Sequence, residues 1–77
     1  MQENRTLIVL NSITYAYKAR DYLAKMGVRS YLERVPEHLR GTGCGYGVRV
    51  NEYGDMAARM LEYAGIPVRN VIDLDRL

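Results

Sequence analysis

Apolar positions along the chain recur with two different periods, and the period changes mark the elements. Thr6-Leu7-Ile8-Val9-Leu10 is a short β-branched apolar run, which predicts a strand buried on both faces. Asn11 and Ser12 follow, both good helix N-caps. Ala16, Ala19, Leu23 and Met26 then repeat at helical spacing with Tyr15 and Tyr22 beside them, and Gly27 stands where a left-handed cap is needed. This predicts a helix of roughly 14 residues, a normal length. Val28 to Val35 alternates, with Val28, Ser30 and Leu32 on one face and Arg29, Tyr31 and Glu33 on the other, until Pro36 ends the strand. Pro36 to Gly45 is predicted as a ten-residue loop.

Tyr46 to Val50 alternates again and predicts a third strand. A second long helix follows, capped by Asn51 or Asp55, with Met56, Met60, Leu61 and Ala64 as its apolar stripe and Gly65 then Pro67 as its stop. Val68 to Ile72 is a fourth strand, leaving residues 1–5 and 73–77 as tails of a single domain. The order β-α-β-β-α-β predicts an α+β, ferredoxin-like sandwich: a four-stranded antiparallel sheet with two helices on one face. Such a sheet leaves its second face open, and at this size a partner or a second copy, forming a homodimer through the open face, is expected to cover it.

Composition narrows the function classes. A chain of 77 residues supports one thin core and seldom the walls of a closed, dry pocket, so a stoichiometric carrier or binding module is favoured over a catalyst. The net charge is +2, spread singly rather than in runs, which gives little support to a nucleic-acid partner. No apolar stretch is long enough to span a membrane, and the first residues lack a signal-peptide layout, so a cytoplasmic protein with no membrane partner is expected. One cysteine, Cys44, excludes an internal disulfide and suits a reducing compartment; with a single histidine beside it, neither a metal site nor a cofactor is expected.

The stretch that folding explains least is Gly41-Thr42-Gly43-Cys44-Gly45-Tyr46-Gly47. Four glycines in seven residues cost backbone entropy, but they allow close approach and leave a thiol unhindered. By residue type alone Cys44 reads first as a small buried hydrophobe in a flexible hairpin. The topology adds a reason for reactivity. In the expected sandwich the first and third strands are neighbours, so Cys44, just before the third strand, falls near the N-terminus of the first helix at Asn11 to Thr14. Helix N–H groups and their partial positive charge favour a thiolate, with Ser12 and Thr14 as further donors and Arg40 as a candidate cation. A thiolate so placed can accept a sulfur or selenium atom as a persulfide-type adduct.

Several stretches between residues 6 and 72 resemble the small bacterial and archaeal Se/S carrier protein-like family. They are Ser12-Ile13-Thr14-Tyr15-Ala16, Lys25-Met26-Gly27-Val28, Val35-Pro36 with the loop ending in Cys44-Gly45, Gly47-Val48-Arg49-Val50, and Ala64-Gly65-Ile66. The resemblance implies a chalcogen-carrying cysteine at Cys44 followed by Gly45; Thr42 and Gly43 stand where the family has serines. The expected site is therefore Cys44 as acceptor, surrounded by Asn11, Ser12, Thr14, Gly43 and Gly45. Its expected partners are a chalcogen donor such as a cysteine desulfurase and an acceptor protein. His38, in the same loop, is a weaker candidate base.

Two other classes fit parts of the pattern. A ligand-sensing or protein-interaction dimer module would need Cys44 only as a structural residue. An RNA-recognition module would stack bases on Tyr46, but its platform is incomplete, because the first strand carries no aromatic residue and Val50 fills the second aromatic position.

Overall fold

The computed structural model describes residues 4–40 and 45–76. Along the chain run β1 (Thr6–Leu10), α1 (Ile13–Lys25), β2 (Ser30–Arg34), α2 (Glu37–Arg40), β3 (Tyr46–Val50), α3 (Gly54–Tyr63), β4 (Val68–Asp73) and a 3-10 turn (Leu74–Arg76). The strands form one antiparallel sheet in the order β2-β3-β1-β4, so the α+β class and the adjacency of the first and third strands are as the alternation predicts.

β1 lies in the middle of the sheet and supplies both cores, since successive side chains of a strand point to opposite faces. Ile8 and Leu10 pack with Val48 and Val50 under Ala16, Ala19 and Leu23 of α1 and Ala57, Ala58 and Leu61 of α3. Leu7 and Val9 point the other way and pack with Val35, Leu39, Ile72 and Leu74. Each fully buried aliphatic side chain contributes about 1.5–3 kcal/mol relative to an exposed one, so the helix-side cluster is the larger source of stability.

Both long helices close in the same way. Val28 N–H donates to Leu23 O at 2.8 Å and Ile66 N–H to Leu61 O at 2.9 Å, around Gly27 and Gly65, each at φ +82°. These are Schellman turns, which need a residue without a Cβ in the left-handed region.

Several expectations are corrected. The segment after Pro36 is not all loop: Glu37–Arg40 forms a helical turn, and Leu39 N–H donates to Pro36 O at 2.9 Å. Its Leu39 helps cover Leu7 and Val9, which are 2% and 1% exposed. Among the described residues, the second sheet face is therefore covered at its centre by α2 rather than open. The C-terminal tail is also structured, because Asp73 belongs to β4 and Leu74 packs into that second core. Neither Asn51 nor Asp55 caps α3. Tyr53 occupies the N-cap in a left-handed conformation, φ 58° and ψ 39°, and makes no side-chain cap bond. The buried stripe of α3 is Gly54, Ala57, Ala58 and Leu61, spaced i, i+3, i+4, i+7, while Met56 and Ala64 are exposed. Small residues let α3 sit close to the sheet: a Cβ on Gly54 would run into the Thr6 side chain.

Candidate functional site

The described residues of the expected site stand at the end of the sheet where β1 leaves and β3 begins. The ladder pairs Val9 with Gly47. Two residues beyond Val9 is Asn11, two before Gly47 is Gly45, and antiparallel pairing brings these positions to the same end of the two strands. α1 starts there. Ser12 is its N-cap, with extended backbone (φ −158°, ψ 165°) and an Oγ that accepts from Tyr15 N–H at 3.2 Å. Ala16 N–H donates to Ser12 O at 3.0 Å, the first full turn of the helix. Asn11 and Thr14 are exposed and Ser12 is half-buried. Among the described residues, no acidic side chain lies in the first turn of α1, so the helix itself sets no carboxylate against the positive end of its dipole.

Gly45 is half-buried, and its carbonyl accepts from Val35 N–H at 2.7 Å, extending the β2–β3 ladder past the strand ends. The structure thus brings Asn11, Ser12, Thr14 and Gly45 to one end of the sheet. Gly43 and Cys44 lie outside the described residues, as do Gly41, Thr42 and the Arg40 side chain. His38 is exposed on α2.

The Ser12 hydroxyl accepts the cap bond through one lone pair, while its O–H remains able to donate. One glycine of the glycine-rich stretch has a structural cause that periodicity does not reveal. A Cβ on Gly47 would meet the Ile8 carbonyl oxygen and come within 3.2 Å of Val9 Cα, so β1 and β3 require glycine there. Tyr46, the aromatic required by the RNA-binding reading, packs against the helix-side core and lies 6.0 Å from the Arg34 guanidinium. It does not belong to the outer sheet face. That face carries Arg49 instead, held by Glu33 at 2.7 Å, by Asn51 Oδ1, and over the Tyr31 ring at 4.6 Å. Alternation places these residues together, but their ion pairing and ring contact had no sequence signature beyond i and i+2 spacing.

Among the described residues, no three His, Cys, Asp or Glu side chains stand close enough to hold a metal ion. No helix of the described residues is long and apolar enough to cross a membrane. The family described as "Putative Se/S carrier protein-like" matches residues 5–73. No curated protein and no solved structure matches the chain.

Proposed function

Because the chain belongs to the Se/S carrier protein-like family over residues 5–73, we propose that it carries sulfur or selenium on Cys44. Cys44 accepts the atom as a persulfide or selenopersulfide from a donor of the cysteine desulfurase class and passes it to an acceptor protein. The observation that supports this best is the shared end of the sheet. The N-terminus of α1 and Gly45, the neighbour of Cys44 in the chain, converge on it.

The chemistry asks little of the fold. The Cys44 thiolate attacks the outer sulfur of the donor's persulfide; a new S–S bond forms at Cys44, and the donor's S–S bond breaks. The donor cysteine leaves as a thiolate, so the transfer is balanced without an external oxidant or reductant. Selenium transfer follows the same displacement. In this reading the N-terminus of α1, with no acid in its own first turn, favours the thiolate, the Ser12 and Thr14 hydroxyls and the Asn11 amide donate toward it, and Gly43 and Gly45 leave it accessible. We read the β2-β3-β1-β4 sheet with α1 and α3 on one side as a ferredoxin-like sandwich. A reducing cytoplasm is the compartment that suits an unpaired reactive thiol.

Incubation with a cysteine desulfurase and cysteine, followed by intact-mass measurement, tests the proposal. The expected result is a gain of one sulfur atom that is absent in Cys44→Ser. A thiol that alkylates only after denaturation would defeat the proposal and leave Cys44 a structural residue.

A further inference from the structure

The two edges of the sheet are unequal. In β4, Leu74 N–H donates to Arg5 O at 2.9 Å, and the register pairs Ile72 with Leu7 and Val71 with Ile8. Hydrogen-bonded pairs alternate along an antiparallel ladder, so Val71 directs its N–H away from β1, out of the sheet. The side chain of Asn70 takes that N–H at 2.9 Å, and the ladder is also irregular at Val9/Leu10. A side-chain plug and a bulge are both devices that keep a further strand off an edge.

β2 has neither. Val35 N–H donates to Gly45 O, so the same alternation turns Tyr31 and Glu33 toward β3 and points the N–H and C=O groups of Ser30, Leu32 and Arg34 outward. Beside this edge lies a groove between α1 and β2, lined by Arg20, Asp21, Ala24, Val28, Arg29 and Ser30. The Ser30 hydroxyl is buried and has no hydrogen-bond partner among the described residues. The α1 stripe that leads into the groove continues to Tyr17 and Ile13, which are 44% and 38% exposed.

We propose that the β2 edge is a homodimer surface, at which a second copy pairs β2 with β2 antiparallel about Leu32. Outward-facing groups must meet outward-facing groups, so the dyad register has to align even-numbered residues with one another. A dyad at Leu32 pairs all five residues of each strand: Leu32 meets Leu32, Ser30 meets Arg34, and Tyr31 meets Glu33. A shift by one pair in one direction would oppose two Glu33 carboxylates, which is unfavourable. In the Leu32 register each Arg34 lies opposite the other copy's Ser30, whose buried hydroxyl lacks a partner and can accept from the guanidinium once it leaves the Tyr46 ring, beside a groove in which Asp21 pairs with Arg20 at 3.7 Å. The exposed Ile13 and Tyr17 of one copy then run alongside Ala24 of the other. No like charges face each other across the five paired positions.

Sedimentation equilibrium with two surface variants tests the surface. The natural chain is expected to self-associate. Tyr31→Glu sets a carboxylate against Glu33 twice per dimer and should raise the dissociation constant about tenfold or more, whereas Tyr31→Lys meets the same Glu33 favourably and should retain the dimer. Amide exchange followed by NMR confirms that both variants are folded and adds an independent reading. Leu32 and Arg34 amides are expected to slow as concentration rises, while Val71 does not change. A natural chain that stays monomeric at millimolar concentration overturns the proposal. So does self-association that is indifferent to the charge at position 31, or a dimer whose Leu32 amide still exchanges freely.

Discussion

Gly47 lies directly against the carbonyl oxygen of Ile8, and no side chain fits between β3 and β1 at that point. The obstructing atom is backbone in a central strand, so it cannot swing aside as a flexible side chain would. Gly47→Ala is expected to destabilise the fold by about 1–3 kcal/mol through overpacking. Urea unfolding followed by far-UV circular dichroism would measure it. An unchanged midpoint would show that β1 and β3 separate at little cost.

On α3, Met56 and Leu61 should respond oppositely to truncation. Leu61 is fully buried under the sheet and Met56 is 56% exposed. Leu61→Ala should cost about 2–5 kcal/mol, from lost transfer energy and the cavity left behind. Met56→Ala should stay within about 0.5 kcal/mol, as surface substitutions do. Denaturant midpoints of the two variants would test the stripe the structure assigns to this helix.

Ser12 has a structural duty and a proposed chemical one, and two substitutions separate them. Ser12→Ala removes the bond from Tyr15 N–H and should cost about 1 kcal/mol, whereas glycine at an N-cap loses only a few tenths. Ser12→Gly is therefore the variant in which helix stability is nearly kept and the hydroxyl is gone. If that hydroxyl donates to the Cys44 thiolate, the thiol pKa rises in Ser12→Gly, as read from alkylation rate against pH. A profile that matches the natural protein would confine Ser12 to capping.

Arg5 clamps the end of the chain through Asp75. Its backbone N–H donates at 2.8 Å to one carboxylate oxygen, and its guanidinium donates to the other at 3.0 and 3.1 Å. The backbone hydrogen bond first, then the side-chain bonds and charge, hold the Asp75 carboxyl below its ordinary range. A lowered folded-state pKa stabilises the fold above the unfolded value, near about 4, and that contribution is lost as pH falls through the folded value. Asp75→Asn should thus melt below the natural protein at neutral pH, and the two should converge in acid. Melting curves from pH 7 down to about pH 2 would show it. A gap that persists at the acid end would exclude ionisation of Asp75 as the cause.

The sequence pattern makes the strands and both long helices legible because each obeys a single period. β1 reads as doubly buried from Leu7-Ile8-Val9-Leu10, and the structure sends alternate residues into two separate cores. The two Schellman turns are equally plain, since Gly27 and Gly65 each end an apolar stripe. Long-range causes left no such trace. Met56 and Ala64 are apolar and helically spaced, yet the Gly54–Ala57–Ala58–Leu61 face is the one buried, Gly54 against Thr6 and the others in the helix-side core, which spacing alone does not distinguish. The four-residue α2 is too short to show a period, and Tyr53 adopts a left-handed conformation usually left to glycine or asparagine. At the candidate site, capping rules pick out Ser12, but the need for glycine at position 47 depends on β1, which is remote in sequence.

The clamp between Arg5 and Asp75 also gives the molecule a handle. It ties the beginning of β1 to the 3-10 turn after β4, whereas Asn11, Ser12 and Gly45 lie past the other end of β1, a strand length of roughly 16 Å away. A probe, resin or fusion attached beside the clamp would therefore hold the protein by its far rim. Immobilised in that orientation, the domain would turn the rim bearing Gly45 toward whatever is supplied in solution.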